Sequence, residues 1–191
     1  MLPETIGVMM LVVDAFERLD IPYLIGGSMA SALYGVARST MDADLVADLS
    51  QKKVDALVEA LNTDFYIDAE MIRDAIRYHS SFNMIHLNSM FKVDVFIKQD
   101  RPFDHAQFQR RVEYLIIPNL QLRAFIATAE DIILAKLEWY HLGGKVSDRQ
   151  WRDILGVLKV QAGRLDLDYL HQMAAELGIT TLLQKALEEA E

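Results

Sequence analysis

Cysteine is absent from the chain, which excludes both disulfides and a thiolate metal site. A basic surplus is absent too, since 19 Lys and Arg stand against 28 Asp and Glu for a formal net charge of -9. The acidity is spread evenly, with a net charge of -5 through Ala127 and -4 after it. Proteins that hold nucleic acid present a basic face, so strong duplex binding is not expected here. The chain also has no long hydrophobic run. Its best stretch, "IGVMMLVV" from Ile6 to Val13, falls far short of the roughly 20 residues that span a bilayer. A membrane partner is therefore not expected. The opening "MLPETIG" carries an acid and no base, unlike a secretory signal, and a cytoplasmic location is the expectation. The five histidines, His79, His86, His105, His141 and His171, show no metal-ligand spacing. Ser28 lacks the G-x-S-x-G setting of a hydrolase nucleophile.

What remains is 191 residues, 52% of them hydrophobic, which suffices for one solid core with or without a helical appendage. Apolar residues at helical spacing predict an amphipathic helix over residues 4–19. "PYLIGG" reads as a short buried strand ending in a turn, with Ser28 as cap of the next helix, "MASALYGV". "MDADLVADL" is the following strand and "SQKKVDALVEALN" a helix capped by Ser50. Residues 68–77 read as another helix. "SSFNMIHL" and "FKVDVFIK" form an antiparallel hairpin. A polar helix near Phe103 to Arg111 precedes a second hairpin, "VEYLIIP" and "LQLRAFIA", with Asn119 in its turn. From Thr128, a helix cap, the chain is almost wholly helical. Strands with interspersed helices followed by helices alone indicate an α+β fold. Trp139, Tyr140 and Trp151 read as core, and Lys145, Arg149 and Arg152 as a solvated ion-pair face.

Two features carry chemistry. Asp42 and Asp44 share one face of an apolar strand with Cα atoms about 6.5 to 7 Å apart. Asp94 interrupts a second apolar strand in "FKVDVFI", with Val93 and Val95 on the opposite face and Lys92 and Phe96 on its own. Like charges this close oppose folding unless a cation neutralises them, and hard oxygen ligands select Mg²⁺ or Mn²⁺. The other feature is Gly26-Gly27-Ser28, where glycine permits close approach of backbone N–H groups to an anion at a helix N-terminus.

Taken together, "IGGS" (Ile25 to Ser28), "DAD" (Asp42 to Asp44) and "VDVF" (Val93 to Phe96) resemble the pattern of the nucleotidyltransferase superfamily with the DNA polymerase beta-like catalytic fold. "ARSTMDAD", with Arg38 and Thr40, and "TAEDIILAKLEWY…DRQWRDI" are similar to prokaryotic nucleotidyltransferases of the abortive-infection toxin type. The resemblance implies a nucleotidyltransferase-type mixed sheet flanked by helices over residues 1–127, with a helical region over 128–191 packed on it. It implies transfer of a nucleoside monophosphate from an NTP to a hydroxyl of a protein, RNA end or small molecule, with an antitoxin-like partner. By the same resemblance Asp42, Asp44 and Asp94 hold Mg²⁺ or Mn²⁺, Asp94 also serves the acceptor hydroxyl, and Gly26, Gly27 and Ser28 take the triphosphate. Arg38 and Lys136 are further candidates for phosphate, though Arg38 equally suits an ion pair with an acid and Lys136 suits snorkelling to solvent. The alternative is a catalytically inactive binding or regulatory module on the same fold.

Overall fold

A computed structural model describes residues 4–36, 40, 42–117 and 121–190 of the chain. Its compact units interleave along the sequence. One comprises Met1–Gly26, Thr40–Asp100 and Glu113–Phe125, the other Gly27–Ser39, Arg101–Val112 and Ile126–Glu191.

The first unit is built on a mixed sheet of seven strands among the described residues. These are β1 (Tyr23–Ile25), β2 (Asp42–Ala47), β3 (Phe65–Tyr66), β4 (Ser81–His86), β5 (Lys92–Ile97), β6 (Val112–Ile117) and β7 (Leu122–Ile126), in the order β3-β4-β5-β2-β1-β7-β6. The expected first hairpin forms, with β4 antiparallel to β5 and Asn83 opposite Asp94. β1 runs antiparallel to β2, while β2 and β5, far apart in sequence, run parallel. Residues alternate along both strands, so Ala43, Leu45 and Ala47 of β2 and Val93, Val95 and Ile97 of β5 are buried on one face. α1 (Glu4–Arg18), α3 (Val54–Leu61) and α4 (Ala69–Tyr78) belong to this unit, with α1 touching β2 and α4 touching β4 and β5. Their apolar stripes, including Val12, Phe16, Leu57 and Ile72, are fully buried. Each such side chain contributes about 1.5 to 3 kcal/mol by leaving water. Asp68 caps α4 by accepting from the Met71 N–H at 2.7 Å. The helix expected from Ser50 opens differently: Gln51–Lys53 form a 3-10 turn, and Ser50 makes no side-chain cap bond. Asn119, expected in the second hairpin's turn, lies outside the described residues.

The second unit is helical: α2 (Gly27–Tyr34), α5 (Pro102–Arg110), α6 (Ala129–Leu142), α7 (Asp148–Val160), α8 (Leu167–Glu176) and α9 (Thr180–Ala190). Thr128 caps α6, its hydroxyl accepting from the Asp131 N–H at 3.3 Å. α2 and α7 approach closely: a Cβ placed on Gly35 would lie 3.0 Å from the backbone nitrogen of Val157. The Gln161 side chain donates to the Tyr34 carbonyl at 2.8 Å, tying the end of α2 to α7. At the centre Asp131, fully buried, accepts from Tyr169 Oη at 2.6 Å and from Thr128 Oγ1 at 2.8 Å. Arg110 lies 3.8 Å over the Tyr169 ring and bonds Glu130 at 3.2 Å. Burial pushes the Asp131 carboxyl up, against the hydrogen bonds from Tyr169 and Thr128 that pull it down. One expectation fails here. Trp139 is not core but 51% exposed on the outer face of α6, and Tyr140 and Trp151, which pack with ring centroids 5.1 Å apart, are only half-buried.

Candidate active site

The face of the sheet opposite the buried one carries the acids. Parallel pairing of β2 with β5 sets Asp42 opposite Lys92 and Asp44 opposite Asp94. Adjacent strands lie about 4.8 Å apart, so Asp44 and Asp94 are direct neighbours across the ladder. Asp42 lies one rung back on the same half-exposed face, and Asn83 of β4 continues the Asp44–Asp94 row outward. Three carboxylates on two neighbouring strands therefore share one surface.

Two neutral or positive groups temper that charge. The Lys92 ammonium bonds Asp94 Oδ2 at 2.7 Å, with the lysine side chain 44% and the aspartate side chain 19% exposed. The Thr40 hydroxyl donates to Asp42 Oδ1 at 2.7 Å and to the Asp42 carbonyl at 3.1 Å. The hydrogen bond to Asp94 holds Lys92 above its ordinary range, with the fields of Asp94, Asp42 and Asp44 adding to it. The sequence places Lys92 on the Asp94 face but does not assign it a partner. The i, i+2 spacing within a strand was the signal available. Thr40 enters the sequence only as part of a motif.

At the end of β1 the Gly26 N–H donates to the Asp44 carbonyl at 2.9 Å, bringing Gly26 to the backbone of the second acid. Gly26 has open space where a Cβ would stand. Gly27 adopts φ of +56°, a left-handed conformation open to glycine at little cost. The helix starts at this residue, so Ser28 lies inside the first turn of α2 and not at its cap. Ser31 Oγ donates to the Ser28 carbonyl at 3.1 Å.

Of the other candidates, Arg38 lies outside the described residues. Lys136 neither snorkels to solvent nor stands open: it is buried, and its ammonium bonds Asp153 of α7 at 3.0 Å.

The donor chemistry fits a hard divalent cation, since carboxylate oxygens on one surface are what Mg²⁺ and Mn²⁺ select, and the Lys92 ammonium already stands in for a cation at Asp94. Among the described residues no three acidic or histidine side chains close on a common point that would hold a metal ion.

A mixed sheet with a central parallel pair, helices over its buried face and acids on the other defines the nucleotidyltransferase type of α+β fold. Solved structures of that type superpose on the chain. The antibiotic-resistance factor ANT(2")-Ia in complex with adenylyl-2"-tobramycin does so with a TM-score of 0.61 at 12% identity, covering 92% of this chain and 98% of its own. An antigenic nucleotidyltransferase-like protein from Paracoccidioides brasiliensis gives 0.55 at 18% identity, with 94% and 91% covered. The lincosamide antibiotic adenylyltransferase LnuA, lincomycin-bound, gives 0.51 at 12% identity, with 80% and 95% covered. Likeness at these identities shows the fold. The chain belongs to the family described as "Nucleotidyltransferase of unknown function (DUF6036)", which it matches over residues 9–190, and is a nucleotidyltransferase on that ground. No curated protein sequence matches it. No helix among the described residues is long and apolar enough to cross a membrane.

Proposed function

We propose that this chain moves a nucleoside monophosphate from an NTP to a hydroxyl of a small molecule, with Mg²⁺ or Mn²⁺ held by Asp42, Asp44 and Asp94. The observation that carries this reading is the ladder pairing of Asp44 with Asp94, with Asp42 on the same face. Like charges in that arrangement oppose folding unless a cation has a use for them. A small acceptor is favoured by the net charge of -9, and by neighbours whose ligands are lincomycin and an adenylylated tobramycin. The adenylyl group of one neighbour makes ATP the first donor to test.

In this reading Gly26, Gly27 and Ser28 receive the triphosphate on backbone N–H groups and the start of α2. A divalent cation held by these carboxylates would neutralise the phosphates and polarise the phosphoryl oxygens. Asp94 takes the proton of the acceptor hydroxyl as the new O–P bond forms and the bond to pyrophosphate breaks. Lys136 is left out of the set because its ammonium is engaged by Asp153. The Lys92 bond to Asp94 is the one observation that favours the alternative, an inactive regulatory module in which lysine permanently replaces a metal. A toxin role with an antitoxin-like partner in the cytoplasm is supported by motif likeness alone, and growth arrest on expression of the active chain tests it.

The decisive measurement is incubation of the purified chain with each α-labelled NTP, Mg²⁺ and a pool of polyhydroxylated small molecules, beside pools of RNA and of protein. Label is expected to move to the small-molecule pool, to fall with Asp44→Asn, and to fall by about 10²-fold or more with Asp94→Asn, which removes the proton acceptor. Equal labelling by wild type and both variants overturns the mechanism. Label moving to RNA or protein overturns the small acceptor.

A further inference from the structure

Lys92 has no role in the sequence pattern, yet it sits at the centre of the acidic surface. It lies opposite Asp42 in the β2–β5 ladder and two residues before Asp94 on β5, so its stem runs along the same face toward the next rung. Its ammonium bonds Oδ2 of Asp94 at 2.7 Å. Three carboxylates place three negative charges on this surface and Lys92 returns one positive charge. A divalent cation drawing on Asp94 would meet the ammonium already there, and two like charges repel at such range.

We propose that Lys92 is the resident counter-cation of the acidic surface: a positioning residue that holds Asp94 in the ladder when no metal is bound and is displaced from it when a divalent cation arrives. This rests on the reading of Asp42, Asp44 and Asp94 as cation ligands. Lysine suits the task because its charge is compact and its stem flexible, so the ammonium swings away while the strand stays put. Displacement also frees a cation next to the site at the moment when phosphate enters.

The test uses the full chain without nucleotide, in wild type, Lys92→Met, Lys92→Arg and Asp94→Asn forms. Mn²⁺ alone is titrated by calorimetry and electron paramagnetic resonance, and thermal midpoints are taken with and without the ion. Lys92→Met is expected to bind Mn²⁺ roughly tenfold more tightly, a coupling of ordinary size. It is also expected to melt lower than wild type without the ion and to gain more from it. Lys92→Arg, which keeps the charge, is expected to track wild type. Lys92→Met that binds Mn²⁺ with wild-type affinity or more weakly overturns the proposal. Should Lys92→Met fail to fold, the wild-type ε-carbon resonance missing from the Lys92→Arg spectrum is followed on adding Mg²⁺; a shift supports displacement and its indifference overturns it. Mn²⁺ binding that is undiminished in Asp94→Asn overturns instead the assignment of the aspartates as ligands.

Discussion

Asp131 shows how one residue sets a pH dependence. It is fully buried in the helical unit and faces Tyr169, Thr128, Arg110 and Glu130. Burial raises its carboxyl above the ordinary value. The folded state therefore holds this proton more tightly than the unfolded chain does. The stability Asp131 contributes is fully present below the unfolded value of about 3.9 and is lost as pH rises through the higher folded value. The difference in unfolding free energy between wild type and Asp131→Asn, measured by urea titration at several pH values, is expected to shrink as pH rises from about 4. A difference that grows with pH contradicts the assignment. The acids of the site were legible for a related reason: a carboxylate in an alternating apolar strand stands out locally. The bond of Lys92 to Asp94 was half legible, since their shared face follows from spacing. The pairing of Asp44 with Asp94 depends on the register of strands about 50 residues apart, which no local pattern encodes.

Among the elements, α2 ends in a close approach to α7 at Gly35. A Cβ on Gly35 would stand 3.0 to 3.1 Å from three backbone atoms, of Val157, Gly156 and Ser31, none of which can rotate away. Gly35→Ala is expected to destabilise the chain by about 1 to 3 kcal/mol through overpacking, read as a lower denaturation midpoint with unchanged slope. Asp68→Ala removes the cap of α4 and is expected to cost about 1 kcal/mol in the same assay. The long periodic helices and the β4–β5 hairpin were readable because their signals are local and repeated. β3, at two residues, is too short to carry a pattern. The cap assigned to Ser28 failed because Gly27 at φ of +56° starts the helix two residues earlier, a choice glycine makes available and sequence does not announce.

For the molecule as a whole, ligand binding is the broadest readout. ATP with Mg²⁺ at a hundredfold excess over its dissociation constant adds about 2.7 kcal/mol to stability by mass action. For a chain of 191 residues that corresponds to a rise in melting temperature of roughly 5 to 11 °C. The rise is expected to vanish in Asp44→Asn, and persistence there separates nucleotide binding from the acids. The overall α+β class was legible from element order. The distribution of elements between compact units was not, because α2 and α5 find their partners among helices that come later in the chain.

That distribution has a practical result. The backbone changes unit five times between Met1 and Glu191. A fragment ending at residue 127 keeps α2 and α5 but strips them of α6, α7 and α8, the helices they touch. Such a fragment exposes Ala30, Phe103 and Phe108, which the intact chain buries, and it is expected to aggregate or to lack a cooperative melt by calorimetry. Neither portion is a detachable cassette. Recombination, fusion or trimming of this protein has to preserve both at once, and an insertion is safest where it leaves the threading between them unbroken.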